Sequence, residues 1–190
     1  MTTKKETYTK IIQAASTCFA RDGFNATSIR QIATEADISQ GSMYTYFSGK
    51  TELIKAIVQE ETATGLAKYH TQKQGSSFEK LCSIVISCIK EVAYPVNHDL
   101  WVEILAESSR NEELRAIFLE GDAQIRAGIF DLLEEGKENG EFNKSLDSES
   151  MTFFLIAIID GLIARKALCK NFSVEDDLPE VRAYIQKILC

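Results

Sequence analysis

Apolar residues recur at helical spacing from one end of this chain to the other. No run of four or more residues alternates cleanly enough to read as a strand. The chain is therefore expected to be all-α. From Tyr8, the residues Ile11, Ile12, Ala15 and Phe19 follow helical steps, and Gly23 then acts as a stop. Thr27 and Ser28 offer N-cap hydroxyls to a short second helix with Ile29, Ile32 and Ala33 facing inward. Ser39 caps a third short helix running to about Phe47, and only Asp37-Ile38 links the two. A helix, a tight turn and a second helix thus lie between Thr27 and Phe47. Lys50-Thr51 opens a longer helix with Leu53, Ile57 and Val58 on one face.

A polar break at His70–Ser77 separates this segment from the remaining helices. Ser76 and Glu79 form a capping box for a helix striped by Phe78, Leu81, Cys82, Val85, Ile89 and Val92. Pro95 ends or kinks that helix. Further helices are expected at about Leu100–Ser108 and Glu112–Glu138, the latter stopped by Asn139-Gly140. The next, about Ser148–Lys170, is apolar nearly all round and is expected to be buried on both sides. A last helix runs from near Pro179 to Leu189. The expected organisation is a three-helix head at 1–50 and a helical domain at 51–190.

Composition narrows the function. Five cysteines, odd in number and without a CxxC pair, argue against a disulfide framework or zinc ribbon and fit a reducing cytosol. Two histidines leave little material for a metal site, and no metal or cofactor is expected. No apolar targeting segment opens the chain, and the longest apolar run, Phe153–Ile159, is too short to span a bilayer. The net charge of −7 is uneven. Residues 1–50 hold six basic and four acidic side chains (+2), and residues 51–190 hold 15 and 24 (−9). Screening over about 8 Å lets a mildly basic head meet phosphate beside an acidic body.

The stretch Ser39–Phe47 suits a helix that enters the major groove. Gln40 can pair with adenine, Gly41 admits a close backbone approach, and Ser42, Tyr44 and Tyr46 can donate to phosphates. Met43 and Phe47 would face the core, and Lys50 could share a phosphate with the next helix's N-terminus. The bland readings stand beside these. Helix-turn-helix shapes occur without DNA binding, Tyr44 and Tyr46 could be interfacial core, and Arg30 could be solvated. Gly49-Lys50-Thr51 resembles the end of a P-loop, but Tyr44 stands where that motif needs glycine.

From about Ile11 to Leu53, the pattern Ile12, Ala14-Ala15, Phe19-Ala20, Gly23-Phe24, Thr27-Ser28-Ile29, Ile32-Ala33, Ala36, Ile38-Ser39, Gly41–Tyr44, Tyr46-Phe47, Lys50 and Leu53 resembles the DNA-binding domain of the TetR/AcrR family of bacterial transcriptional regulators. The chain departs from the family at Asp37, where glycine is usual at a left-handed turn. The resemblance implies a homodimer, a helical ligand-binding C-terminal domain and effector-controlled release from operator DNA. It places Gln40 and Arg30 near base edges, and Thr27, Ser28, Ser42, Tyr44, Tyr46 and Lys50 near phosphates.

The rest of the chain carries weaker signals. A small-molecule pocket is expected near Trp101, Glu103 and Glu107, with Tyr69, Tyr94, Phe118, Phe130 and Phe154 as further aromatic candidates. An aromatic wall with a carboxylate suits a cationic or amphipathic effector. The alternative is that these rings are core and both glutamates are surface charges. The last two helices, through Ile159, Ile163, Tyr184, Ile185 and Ile188, could form an isologous four-helix interface or could simply be core. No nucleophile–base signature supports an enzyme. The competing class is a helical carrier or adaptor that does not bind DNA.

Overall fold

The computed structural model describes residues 3–71, 75–169 and 171–190, and the side chains among them except those of 68–71 and 174–177. The described residues form nine helices. They are α1 (Lys4–Asp22), α2 (Ile29–Glu35), α3 (Gln40–Tyr44), α4 (Lys50–Thr71), α5 (Ser77–Lys90), α6 (His98–Ser108), α7 (Glu112–Glu138), α8 (Ser148–Leu168) and α9 (Val174–Leu189).

Local chemistry sets the helix ends. The Ser28 hydroxyl accepts from the Gln31 N–H while the Gln31 side chain accepts from the Ser28 N–H. Ser76 and Glu79 make the same reciprocal pair at α5. Ser39 caps α3 by accepting from the Ser42 N–H at 3.0 Å. Each such cap satisfies donors that a helix start leaves open. Asp37 adopts φ 52°, so an aspartate occupies the left-handed turn between α2 and α3. α5 ends at Lys90, before the Tyr94–Pro95 bond, and Pro95 lies in the loop leading to α6.

The chain divides into two compact units. The first comprises residues 1–64 and 93–120, so α6 and the start of α7 belong with α1–α3 and most of α4. Its core includes Ile11, Ile12, Phe19, Ile32, Met43, Leu53, Leu100 and Ile104, all buried. The second comprises residues 65–92 and 121–190, with α5 packed against α8 and α9. Its core includes Leu81, Val85, Ile89, Leu133, Phe142, Leu155 and Leu189.

A corner at residues 136–143 ties the second unit together. Gly140 (φ 75°) follows α7, the Glu141 N–H donates to the Gly136 carbonyl and the Gly140 N–H to the Lys137 carbonyl. These two bonds are a Schellman stop. The Glu141 carboxylate then accepts from the Ser77 and Phe78 N–H groups, each at 3.0 Å, at the start of α5. Asn143 donates to the carbonyl of Leu189 in α9.

Within one subunit, α8 buries one of the two sides expected to be covered. Thr152, Leu155, Ile159 and Ile163 face the core at steps of three and four. The opposite face is open, with Phe153 64% and Leu168 73% exposed. An all-apolar helix has two dry faces to bury, and within one subunit α8 buries only one of them.

Candidate nucleic-acid interface

Met43, fully buried, and Phe47 anchor α3 to the first unit's core. That anchoring leaves Gln40, Gly41 and Tyr44 on the outside, with Tyr44 53% exposed. Ser42 and Tyr46 are half-buried at the flanks. A Cβ added to Gly41 would meet only the Ser39 hydroxyl, at 3.9 Å, so packing within the subunit does not require glycine there. Arg30 and Ser28 are exposed on and before α2. The Ser28 hydroxyl is already engaged with Gln31 in the capping box.

Thr27 lies differently from its expected place near a phosphate. It is 1% exposed, and its hydroxyl is directed to the Gly23 carbonyl at 2.8 Å and the Cys18 carbonyl at 3.1 Å. It holds the α1–α2 turn closed rather than offering a hydroxyl to solvent.

Lys50 also turns to that loop. Its ammonium donates to the carbonyls of Phe24 (2.6 Å) and Asn25 (3.1 Å) and lies 4.8 Å from the centre of the Phe24 ring. Burial lowers its pKa from the ordinary lysine value, and the Glu107 carboxylate works in the opposite direction. An ammonium has three donors, so one is left beyond these two carbonyls. A second prop supports the α3 region. The Tyr8 ring sits 5.5 Å from that of Phe47, and burial, with the Glu60 carboxylate of α4 acting in the same direction, raises the Tyr8 pKa.

The residues expected around an effector fall in both units. Trp101 and Phe118 meet, with ring centres 5.5 Å apart, and the Trp101 Nε1 is buried without a hydrogen-bond partner among the described residues. Tyr94 belongs to the same unit and is exposed. Phe130 and Phe154 belong to the other unit, where Phe154 is exposed, and Tyr69 lies outside the described side chains. The two glutamates have protein partners. Glu103 accepts from the Phe24 N–H at 2.6 Å, and Glu107 is buried and paired with Arg110 at 3.3 Å. Neither is a bare carboxylate waiting for a cation.

The expected interface residues also separate. Ile159, Ile163 and Ile185, expected either between copies or in the core, are buried within the subunit, with Ile163 2% exposed. Tyr184, 58% exposed, and Ile188 remain on the outside of α9. Phe153, outside the set of expected interface residues, is exposed on α8, where the Arg126 guanidinium lies 6.0 Å from its ring centre.

Among the described residues, no group of three or more His, Cys, Asp and Glu side chains is placed to hold a metal ion. No described helix is long and apolar enough to cross a membrane.

Known proteins resemble the chain along most of its length. Residues 11–57 match the family model described as bacterial regulatory proteins, tetR family, and residues 79–189 match that of the BetI-type transcriptional repressor C-terminal domain. The HTH-type transcriptional regulator UidR of Escherichia coli K12 is 26% identical over 163 residues, covering 86% of this chain and 83% of the relative. Among solved structures, Salmonella enterica GusR is 25% identical with a TM-score of 0.81, covering 98% of this chain and 97% of that one. The fatty acid degradation regulator FadR of Bacillus halodurans is 25% identical with a TM-score of 0.85, covering 97% and 96%.

Proposed function

The chain belongs to the TetR family of bacterial transcriptional regulators, and on that premise we propose a homodimeric repressor that a small amphipathic or aromatic effector releases from its operator. As a member of that family it is a ligand-responsive DNA-binding protein and not an enzyme. DNA reading is assigned to residues 1–50, and effector binding and dimerisation to 51–190. One observation carries the reading. α3 is held from behind by Met43 and Phe47 and presents Gln40, Gly41 and Tyr44 outward. An exposed glycine inside a helix costs about 1 kcal/mol relative to alanine. No contact within the subunit calls for it, and a nearby DNA wall would.

Gln40 and Arg30 are assigned to base edges, and Ser28, Ser42, Tyr44, Tyr46 and the third donor of Lys50 to phosphates. The test compares a selected operator with random duplex. Gln40→Ala should cost about 1–3 kcal/mol on the operator and spare binding to random duplex. Equal losses on both would remove Gln40 from base reading. Gly41→Ala should raise thermal stability slightly and weaken operator binding, opposite signs that a purely structural glycine would not give.

The second copy is assigned to the open faces of α8 and α9, through Phe153, Phe154, Leu168, Tyr184 and Ile188. Gly161 lies on the same side of α8, with nothing within 4 Å of an added Cβ, which leaves room for a partner helix to approach closely. For the effector, Trp101 and Phe118 supply an aromatic corner and an unused N–H donor. That chemistry favours an effector with an aromatic or apolar body and a hydrogen-bond acceptor. It does not call for a cation, since Glu103 and Glu107 are already engaged. Release requires the effector to favour the conformation that does not bind DNA.

A further inference from the structure

We propose that Glu103, outside the reading head, is a positioning residue for DNA binding. Its carboxylate latches the α1–α2 turn and so sets where α2 and Lys50 stand. The inference rests on the DNA-binding reading and names how that site is held in register.

The turn is gripped from two helices through one residue. The N–H of Phe24 donates to Oε1 of Glu103 on α6 at 2.6 Å, a contact between residues 79 positions apart. The carbonyl of the same Phe24 accepts from Lys50 on α4, also at 2.6 Å. Gly23, at φ 80°, lets the chain leave α1 and brings it against α6, since an added Cβ there would lie 3.5 Å from that same Oε1. Four residues on, Thr27 closes the turn and Ser28 caps α2, the helix that carries Arg30. Lys50 is placed by the same turn, because two of its donors are spent on the Phe24 and Asn25 carbonyls. A charge-assisted bond to a backbone N–H is among the stronger single contacts a loop can have. With it intact, the first residue of α2 and the free donor of Lys50 are fixed relative to α6. Without it, the turn can shift by the fraction of an ångström that a multi-point fit to DNA does not tolerate.

The test uses the full chain, an operator recovered by selection from random duplex, and random duplex itself. Glu103→Ala should weaken operator binding about tenfold, the size expected for one lost charge-assisted bond. The slope of log affinity against log salt should stay that of the wild type, because no phosphate contact is removed. Glu103→Asp keeps the charge but falls one methylene short, and should behave like Glu103→Ala. Glu103→Gln keeps a carbonyl acceptor at full length and should restore binding to within about threefold. Exchange of the Phe24 amide hydrogen should speed up in the Ala and Asp variants and not in the Gln variant. Wild-type affinity in both the Ala and Asp variants would overturn the latch, as would unchanged protection of Phe24. A changed salt slope would make Glu103 part of the DNA electrostatics instead. If the wild type selects no DNA, it is the DNA-binding reading that fails. If the wild type binds and only the Glu103 series is silent, the latch alone fails.

Discussion

Phe153→Glu combined with Tyr184→Glu should turn a dimer into helical monomers and weaken operator binding by about 100-fold or more. Both side chains lie mostly in solvent within one subunit, at 64% and 58% exposure. Charges there disturb no core contact, so the far-ultraviolet circular dichroism of the variant should match the wild type. In a dimer the same two charges would sit unpaired in an apolar interface, which disfavours association by several kcal/mol. Two linked reading heads gain about 10²–10⁴ in avidity over one, and a monomer forfeits that gain. Ile163→Glu provides the contrast. Its site is 2% exposed in the subunit's own core, so the buried charge should unfold the chain rather than dissociate it. Sedimentation at micromolar protein reads both. A clean dimer of the double variant would place the interface elsewhere.

Gly136→Ala should destabilise the fold by about 3 kcal/mol, although alanine is the better helix former by about 1 kcal/mol. A Cβ at this position would fall 2.2 Å from Cδ2 and Cε2 of Phe142. The ring cannot step aside easily. Phe142 is buried, and its own N–H and that of Glu141 are bonded to the Gly136 carbonyl, so the backbone holds the ring over the glycine. Moving it would also pull on Glu141, which accepts from the Ser77 and Phe78 N–H groups. For a chain of this length the melting temperature should fall by about 6–12 °C. Gly161→Ala, with open space around its Cβ, should show no such loss in subunit stability. An unchanged melting temperature for Gly136→Ala would mean that the corner is looser than its hydrogen bonds imply.

Much of this was legible in the sequence because it is local. Caps at Ser28, Ser39 and Ser76 act over three residues, helical periodicity over a few turns, and Asp37 stands where its own backbone preference can serve. What was not legible depends on distant residues or on a second molecule. Glu103 on an amphipathic helix reads as a surface charge or a pocket carboxylate, and only the folded chain brings it to Phe24. Thr27 and Ser28 are adjacent hydroxyls of equal capping value in sequence, yet one closes the turn from inside and the other caps α2. α8 is the clearest case. Apolar residues around the whole helix cannot say which face meets the subunit's own core, and only the folded chain puts Ile159 and Ile163 on that face and Phe153 on the open one.

Selection of bound sequences from a random duplex pool by the full chain tests the central claim most directly. The account predicts enrichment of an inverted repeat, with half-site centres about one helical turn (10–10.5 base pairs) or a multiple of it apart. Binding to the enriched duplex should weaken steeply as salt rises. A final pool with no sequence enriched over the starting one, and retention that salt does not alter, would contradict it.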